Sequence, residues 1–203
     1  MGVRIRRAEQ GDRERIVRLL DTAFMDDPVS GWVFPGEEYR RARHAGLMGV
    51  FTDATLAEGY ADLLEDGSAV ALWMDVPDHP HADADPDAEE NGPAQVREAV
   101  DPDNARIEEI ARTLDRTHPQ GRAHTYLWMI GVAPGRQGEG LGTSLMAPVL
   151  ERCDREGRPA YLEASSARSR ALYERLGFAF TGTAIELPDG PTMWPMWREP
   201  QAG

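Results

Sequence analysis

The sequence predicts an α/β fold in which one mixed sheet carries helices on both faces. Three observations lead there. Strand-like and helix-like runs follow one another in the order β-α-α-β-β-α-β-α-β-α-β-β, which a single sheet flanked by helices accommodates. An Asp66-Gly67 pair joins two of the strand-like runs in the manner of a hairpin. A glycine-punctuated stretch late in the chain links an apolar strand directly to a helix.

The elements are justified in order. Val3 to Arg7 alternates apolar and polar residues, as a short strand does. From Asp12 a helix places Ile16, Leu19, Leu20, Ala23 and Phe24 on one side, and Asp26-Asp27-Pro28 ends it. Residues 26–36 read as a loop with Trp32 and Phe34 half-buried. A second helix covers about Glu37 to Phe51, with Leu47, Val50 and Phe51 facing inward. The hairpin strands are Gly59 to Leu64 and Ala69 to Met74. Ile107, Ile110, Ala111 and Leu114 mark a helix over 103–117, stopped by His118-Pro119-Gln120-Gly121. Thr125 to Val132 is an apolar run long enough for a buried strand. A helix from about Gly140 to Gly157 carries Leu141, Leu145, Val149 and Cys153 four apart, and Pro148 inside it predicts a local irregularity. Ala160 to Ala164 is a strand, Arg168 to Leu176 a short helix stopped by Gly177. Phe178 to Leu187 and Thr192 to Arg198 are strands around the Pro188-Asp189-Gly190 turn.

The 203 residues suffice for one domain with a proper core, taken as 1–203. The net charge of -13 is uneven: residues 75–103 hold ten acidic side chains against the single Arg97. That Pro-, Asp- and Ala-rich stretch reads as an acidic, irregular insertion at about 77–102. So acidic a chain is a poor partner for nucleic acid. It has no apolar run of membrane-spanning length, and Met1 to Arg7 lacks the features of a secretory leader, so a cytoplasmic protein is expected. The lone Cys153 excludes an internal disulfide framework. Monomer and homodimer both remain open.

The stretch Gly135-Arg136-Gln137-Gly138-Glu139-Gly140-Leu141-Gly142-Thr143 carries the chemistry. Alternate glycines allow a tight turn and close approach of a ligand. The free N–H groups and positive dipole end of the following helix then make an anion site suited to a pyrophosphate. A Walker loop is excluded, because Leu141-Gly142 stands where Lys-Ser/Thr is needed and the chain has no lysine. The G-x-G-x-G spacing also departs from the dinucleotide fingerprint. A glycine-rich helix start with no ligand stays open at this level.

The stretch gains meaning from its surroundings. Gln137-x-x-Gly140-x-Gly142, after Ile130-Gly131-Val132, resembles the acetyl-CoA pyrophosphate motif of the GCN5-related N-acetyltransferases, the GNAT superfamily. Thirty residues on, Ala171-Leu172-Tyr173-Glu174-Arg175-Leu176-Gly177-Phe178 resembles the second signature of that family. Ala160 to Ser165 and Pro188-Asp189-Gly190-Pro191 are similar to puromycin N-acetyltransferase-like actinobacterial members. The likeness is close from about Tyr126 to Arg198 and poor from 75 to 120, where part of an acceptor pocket is expected.

The resemblance implies a mostly antiparallel sheet with one splayed parallel strand pair, formed by Thr125–Val132 and Ala160–Ala164. It implies acetyl-CoA as co-substrate and no metal. Ile130, Gly131 and Val132 would hold the pantetheine, while Arg136, Gln137, Gly138, Glu139, Gly140, Leu141, Gly142 and Thr143 would hold the pyrophosphate. Ser166, where many members have Asn, would touch the pantetheine. Glu163, otherwise readable as a solvent-facing strand-end carboxylate, would accept the amine proton. Tyr173, otherwise a packed aromatic, would protonate the leaving thiolate. The expected activity is acetylation of a primary amine of a small molecule, an antibiotic or metabolite, within a ternary complex. The alternatives are a protein or peptide N-acetyltransferase and an inactive acyl-CoA-binding module.

Other signals carry less. His79 to Asp87 invites a metal, yet a calcium loop starting at Asp83 would need Gly and Glu where Ala88 and Ala94 stand. No G-x-S-x-G elbow supports a serine hydrolase. Cys153 has the spacing of a core residue.

Overall fold

The computed structural model describes residues 4–78 and 86–201. Eight strands form the sheet: β1 (Ile5–Arg7), β2 (Tyr60–Leu64), β3 (Ala69–Val76), β4 (His124–Val132), β5 (Ala160–Ala164), β6 (Ala179–Phe180), β7 (Ile185–Glu186) and β8 (Thr192–Arg198). Their order is β1-β2-β3-β4-β5-β8-β6, with β7 also paired to β8. Every pairing is antiparallel except β4 with β5. The expected mixed, mostly antiparallel sheet with one parallel pair is the one found.

Strand alternation sends side chains to two cores. Val70 and Leu72 of β3 join Ile16, Leu19 and Leu20 of α1 (Arg13–Phe24), Leu47 and Met48 of α3 (Glu37–Glu58), and Ile107 and Ile110 of α5 (Ala105–Thr117). Ala69, Ala71 and Trp73 turn the other way, against Leu145, Met146, Val149 and Cys153 of α6 (Leu141–Glu156) and Tyr173 of α7 (Ala167–Arg175). Ile16, Leu20 and Leu145 are fully buried, each contributing about 1.5–3 kcal/mol of transfer free energy. Pro148 lies within α6 without ending it.

Four elements depart from expectation. The supposed loop 26–36 contains a short helix, α2 (Pro28–Val33). Asp27 caps it by accepting from the Val29 and Ser30 amides, and Pro28 sits at the first helical position, where its missing N–H costs nothing. The helix expected to end at Phe51 runs on to Glu58, with the Thr52 and Thr55 hydroxyls donating back to the Met48 and Phe51 carbonyls. The insertion read as irregular holds a helix, α4 (Pro86–Val100). Val96 and Val100, four apart, pack into the core of α3 and α5, and Arg97 reaches Glu108 of α5 at 2.8 Å. Its acidic composition masked that stripe. The metal-like run from His79 to Asp85 lies outside the described residues. The single strand expected over 178–187 is divided into β6 and β7 around Gly182, whose φ of 102° breaks the extended chain. Among the described residues, no helix is long and apolar enough to cross a membrane, and no group of three potential metal ligands occurs.

Candidate active site

The site begins where two parallel strands part. β4 and β5 pair only at Thr125 with Ala160 and Tyr126 with Tyr161. Beyond those positions β4 continues along β3, while β5 follows β8. The register of β3 on β4 shifts between Leu72 and Trp73, leaving Trp128 as an extra residue that bends β4 away. Past the bulge, the Ala133 amide donates to the Ser68 carbonyl at 2.8 Å. Antiparallel alternation then makes Gly131 and Val70 a hydrogen-bonded pair, and it turns the main-chain groups of Ile130 and Val132 toward the gap. A strand-like ligand can bond to those two residues. Gly131 cannot serve in that way: its own groups are used by β3. A Cβ there would come within 3.0 Å of Leu20, so Gly131 lets α1 pack close to the sheet.

Gly135, Gly138 and Gly140 all adopt positive φ, and no atom lies within 4 Å of where a Cβ would stand on any of them. Gly140, at φ 79°, caps α6, and the first helical bond runs from the Ser144 amide to the Gly140 carbonyl. The amides of Leu141, Gly142 and Thr143 therefore have no partner within the helix. They form a cradle at the positive end of a 16-residue helix. Arg136 bonds Glu139 at 2.7 Å and approaches Asp66 at 3.5 Å, so its charge is shared with two carboxylates beside this turn.

Glu163 projects from β5 on the side of α1 to α5. Its Oε2 accepts from the Tyr126 hydroxyl at 2.7 Å. Its Oε1 is buried and makes no hydrogen bond of ordinary length, but the Tyr161 hydroxyl, itself buried without such a bond, is close enough to act on the carboxylate. Burial raises the carboxyl pKa to about 7, and the tyrosine hydroxyls pull against that rise without cancelling it. Behind the tyrosines, His118 stands edge-on to both rings at 4.8 and 5.0 Å between centroids. Burial and the neighbouring His124 lower its pKa to about 4, so it braces the pair without adding charge near neutral pH.

Tyr173 arrives from the opposite face of the sheet, through the gap between β4 and β5. It lines the same cleft as Glu163 and Ile130. Burial, reinforced by the Asp27 charge, raises its phenol well above the ordinary value near 10. Asp27 is itself raised by burial. One of its oxygens caps α2 and the other accepts from the Ser165 hydroxyl at 2.5 Å.

Ser166 has a different task from the expected one. Its hydroxyl accepts from the Ser169 amide at 3.1 Å and caps α7, the helix that carries Tyr173. Asp27, Tyr126, Tyr161 and Ser165 were not singled out from sequence. Tyr161 and Glu163 at i and i+2 on one strand was the available clue, and Asp27-Pro28 is the cap-and-proline signature of a helix start.

These features have counterparts in known proteins. A family model described as "Acetyltransferase (GNAT) family" matches residues 103–178, which include β4, the glycine turn and α7. A Corynebacterium glutamicum crystal structure, described as histone acetyltransferase HPA2 and related acetyltransferase, superposes with a TM-score of 0.72 at 26% identity, covering 100% of this chain and 99% of that one. Residues 103–178 therefore resemble the GNAT acetyltransferases in sequence, and the whole chain shares its fold with an acetyltransferase structure. An uncharacterized N-acetyltransferase of Schizosaccharomyces pombe is 26% identical over 86% of this chain and 74% of its own length. A mycothiol acetyltransferase of Brachybacterium faecium is 38% identical, but over only 30% of this chain and 19% of that protein. Arylalkylamine N-acetyltransferase 2 of Aedes aegypti shares the GNAT fold, with a TM-score of 0.67 over 99% of this chain and 100% of that one at 13% identity. GNAT enzymes use acetyl-CoA as co-substrate.

Proposed function

We propose that this chain transfers acetyl from acetyl-CoA to a primary amine of a small molecule, within a ternary complex. The observation that carries the reading is the Glu163 Oε1 atom: a buried carboxylate oxygen without a hydrogen bond of ordinary length, in a cleft between separated strands. Burying such an atom is costly unless it has a task. A pKa near 7 suits a base that must take a proton from an amine at neutral pH.

In this reading Ile130 and Val132 hold the pantetheine through main-chain groups, and the amides from Gln137 to Thr143 hold the pyrophosphate. Glu163 accepts the amine proton as nitrogen bonds to the thioester carbonyl carbon. The carbon–sulfur bond breaks and Tyr173 gives its proton to the leaving sulfur. Glu163 then returns the captured proton to Tyr173 through solvent, which restores both groups. Both acid and base reach one cleft, which argues against an inactive acyl-CoA-binding module. The apolar wall that α2, α3 and α5 give the cleft supports a small acceptor.

The test is release of free thiol from acetyl-CoA with small primary amines and with peptide N-termini. Turnover confined to peptides would sink the small-molecule assignment. A second experiment probes the donor site. Gly140→Val forces a β-branched residue into a left-handed conformation that costs about 1–2 kcal/mol. It also places a side chain in the cradle. A lower Tm and at least roughly tenfold weaker acetyl-CoA binding by calorimetry are expected. Undiminished affinity would remove the turn from the donor site.

A further inference from the structure

The chemistry of the cleft wall narrows the acceptor, a step that rests on the N-acetyltransferase reading. Beyond Glu163 the wall is hydrocarbon. Val33 of α2, Leu47, Met48 and Phe51 of α3, and Ile110 and Leu114 of α5 line it. Phe51 packs against Trp128, the bulge residue of β4, with ring centroids 4.9 Å apart. Among the described residues, the carboxylates on the wall are Glu163 and Asp27. Both oxygens of Asp27 are already engaged, by the α2 amides and by the Ser165 hydroxyl. Asp115 acts electrostatically on Tyr126 but does not line the cleft. One carboxylate oxygen, without a hydrogen bond of ordinary length, is therefore left to meet a cation, and it stands where the reacting nitrogen must be.

We propose that the acceptor is a primary monoamine carrying one compact apolar group, a short alkyl chain or a single aryl ring, and that amines with a second cation are rejected. A second ammonium on the same acceptor would have to enter the apolar wall unpaired, which is strongly unfavourable. An apolar tail gains by leaving water. The cavity volume of about 130 Å³ is small beside the roughly 300–1,000 Å³ of sites for drug-sized ligands. That volume matches one compact apolar group beside the reacting nitrogen.

The experiment uses the full chain with acetyl-CoA and compares hexylamine and phenethylamine with 1,6-diaminohexane and spermidine by thiol release. The monoamines are expected to exceed the polyamines in kcat/KM by at least roughly tenfold. Leu114→Glu, at a position that keeps partial exposure, is expected to move the hexylamine to diaminohexane ratio toward the diamine by at least roughly tenfold. Circular dichroism and an unchanged acetyl-CoA Kd would show that the variant is intact. Equal or better use of the polyamines by the unsubstituted chain overturns the acceptor class while leaving the transfer reading in place. A folded L114E protein with an unchanged ratio overturns the assignment of this wall. Absence of turnover with every amine overturns both readings.

Discussion

Glu163→Gln is expected to lower kcat/KM by roughly 100-fold or more, the scale of a lost general base, while acetyl-CoA binding stays close to normal. The substitution keeps the shape of the side chain and the acceptor oxygen facing Tyr126. It removes the basic oxygen that makes no hydrogen bond of ordinary length. The pH profile supplies the sharper readout. With its pKa raised to about 7, Glu163 becomes a base as pH rises through neutrality. Activity should therefore climb about tenfold per pH unit below 7 and level off above it. An acceptor amine that loses its own proton in the same range would give a similar limb. An alkoxyamine, already neutral in mild acid, separates the two, and with it the limb should persist in the native chain and vanish in E163Q. Stability should change in the opposite sense. A carboxyl raised from 4.5 to about 7 stabilises the fold fully below pH 4.5, and that contribution is lost as pH rises through 7. E163Q should escape this loss, so its Tm relative to the native chain should improve between pH 5 and 8. A flat alkoxyamine profile in the native chain would take Glu163 out of the chemistry.

The sheet was readable because its signals are local. Alternation in Val3 to Arg7, the Asp66-Gly67 hairpin and the four-residue spacing of Leu141, Leu145, Val149 and Cys153 each report on a neighbourhood of a few residues. The misreadings also have local causes. In α4 the acidic residues outweigh Val96 and Val100 in any composition average, although those two side chains fix the helix against α3 and α5. In α2 the loop-like Asp26-Asp27-Pro28 is at once a stop for one helix and the cap of the next. The glycine turn could be placed because its backbone demand is written in the residue type: positive φ at positions 135, 138 and 140.

The environment of Glu163 could not be read in that way. Its partner Tyr126 is 37 positions away on another strand. The encounter depends on a parallel register that no short-range pattern encodes. Gly131 shows the same limit from the other side. Its place between Ile130 and Val132 suggested a ligand contact, and only the pairing with Val70 and the approach of Leu20 reveal a packing role. The hydrocarbon wall of the cleft comes from separate elements, α2, α3 and α5, each of which reads alone as ordinary core.

Tyr173→Phe is expected to lower kcat by at least roughly tenfold with little change in acetyl-CoA affinity or Tm. The ring is buried in the core of α6 and β5, beside Phe178, and Phe fills the same space. The hydroxyl makes no hydrogen bond among the described residues, so its removal leaves no buried partner orphaned. A purely structural tyrosine would show nothing in kcat. Burial and the charge of Asp27 hold the phenol protonated well past its usual pKa. Tyr173 should thus stay protonated across the whole range in which Glu163 is a base, and no falling limb from it should appear below about pH 10. The two pKa values keep the roles apart: the carboxylate, close to neutrality, takes the proton, and the phenol, which stays protonated, is the group with one to give to the sulfur as its bond to carbon breaks. The loss in Y173F should therefore shrink when the donor is a coenzyme A analogue whose thiol is less basic and leaves without protonation. An equal loss with both donors would mean that the hydroxyl positions the thioester and does not protonate it.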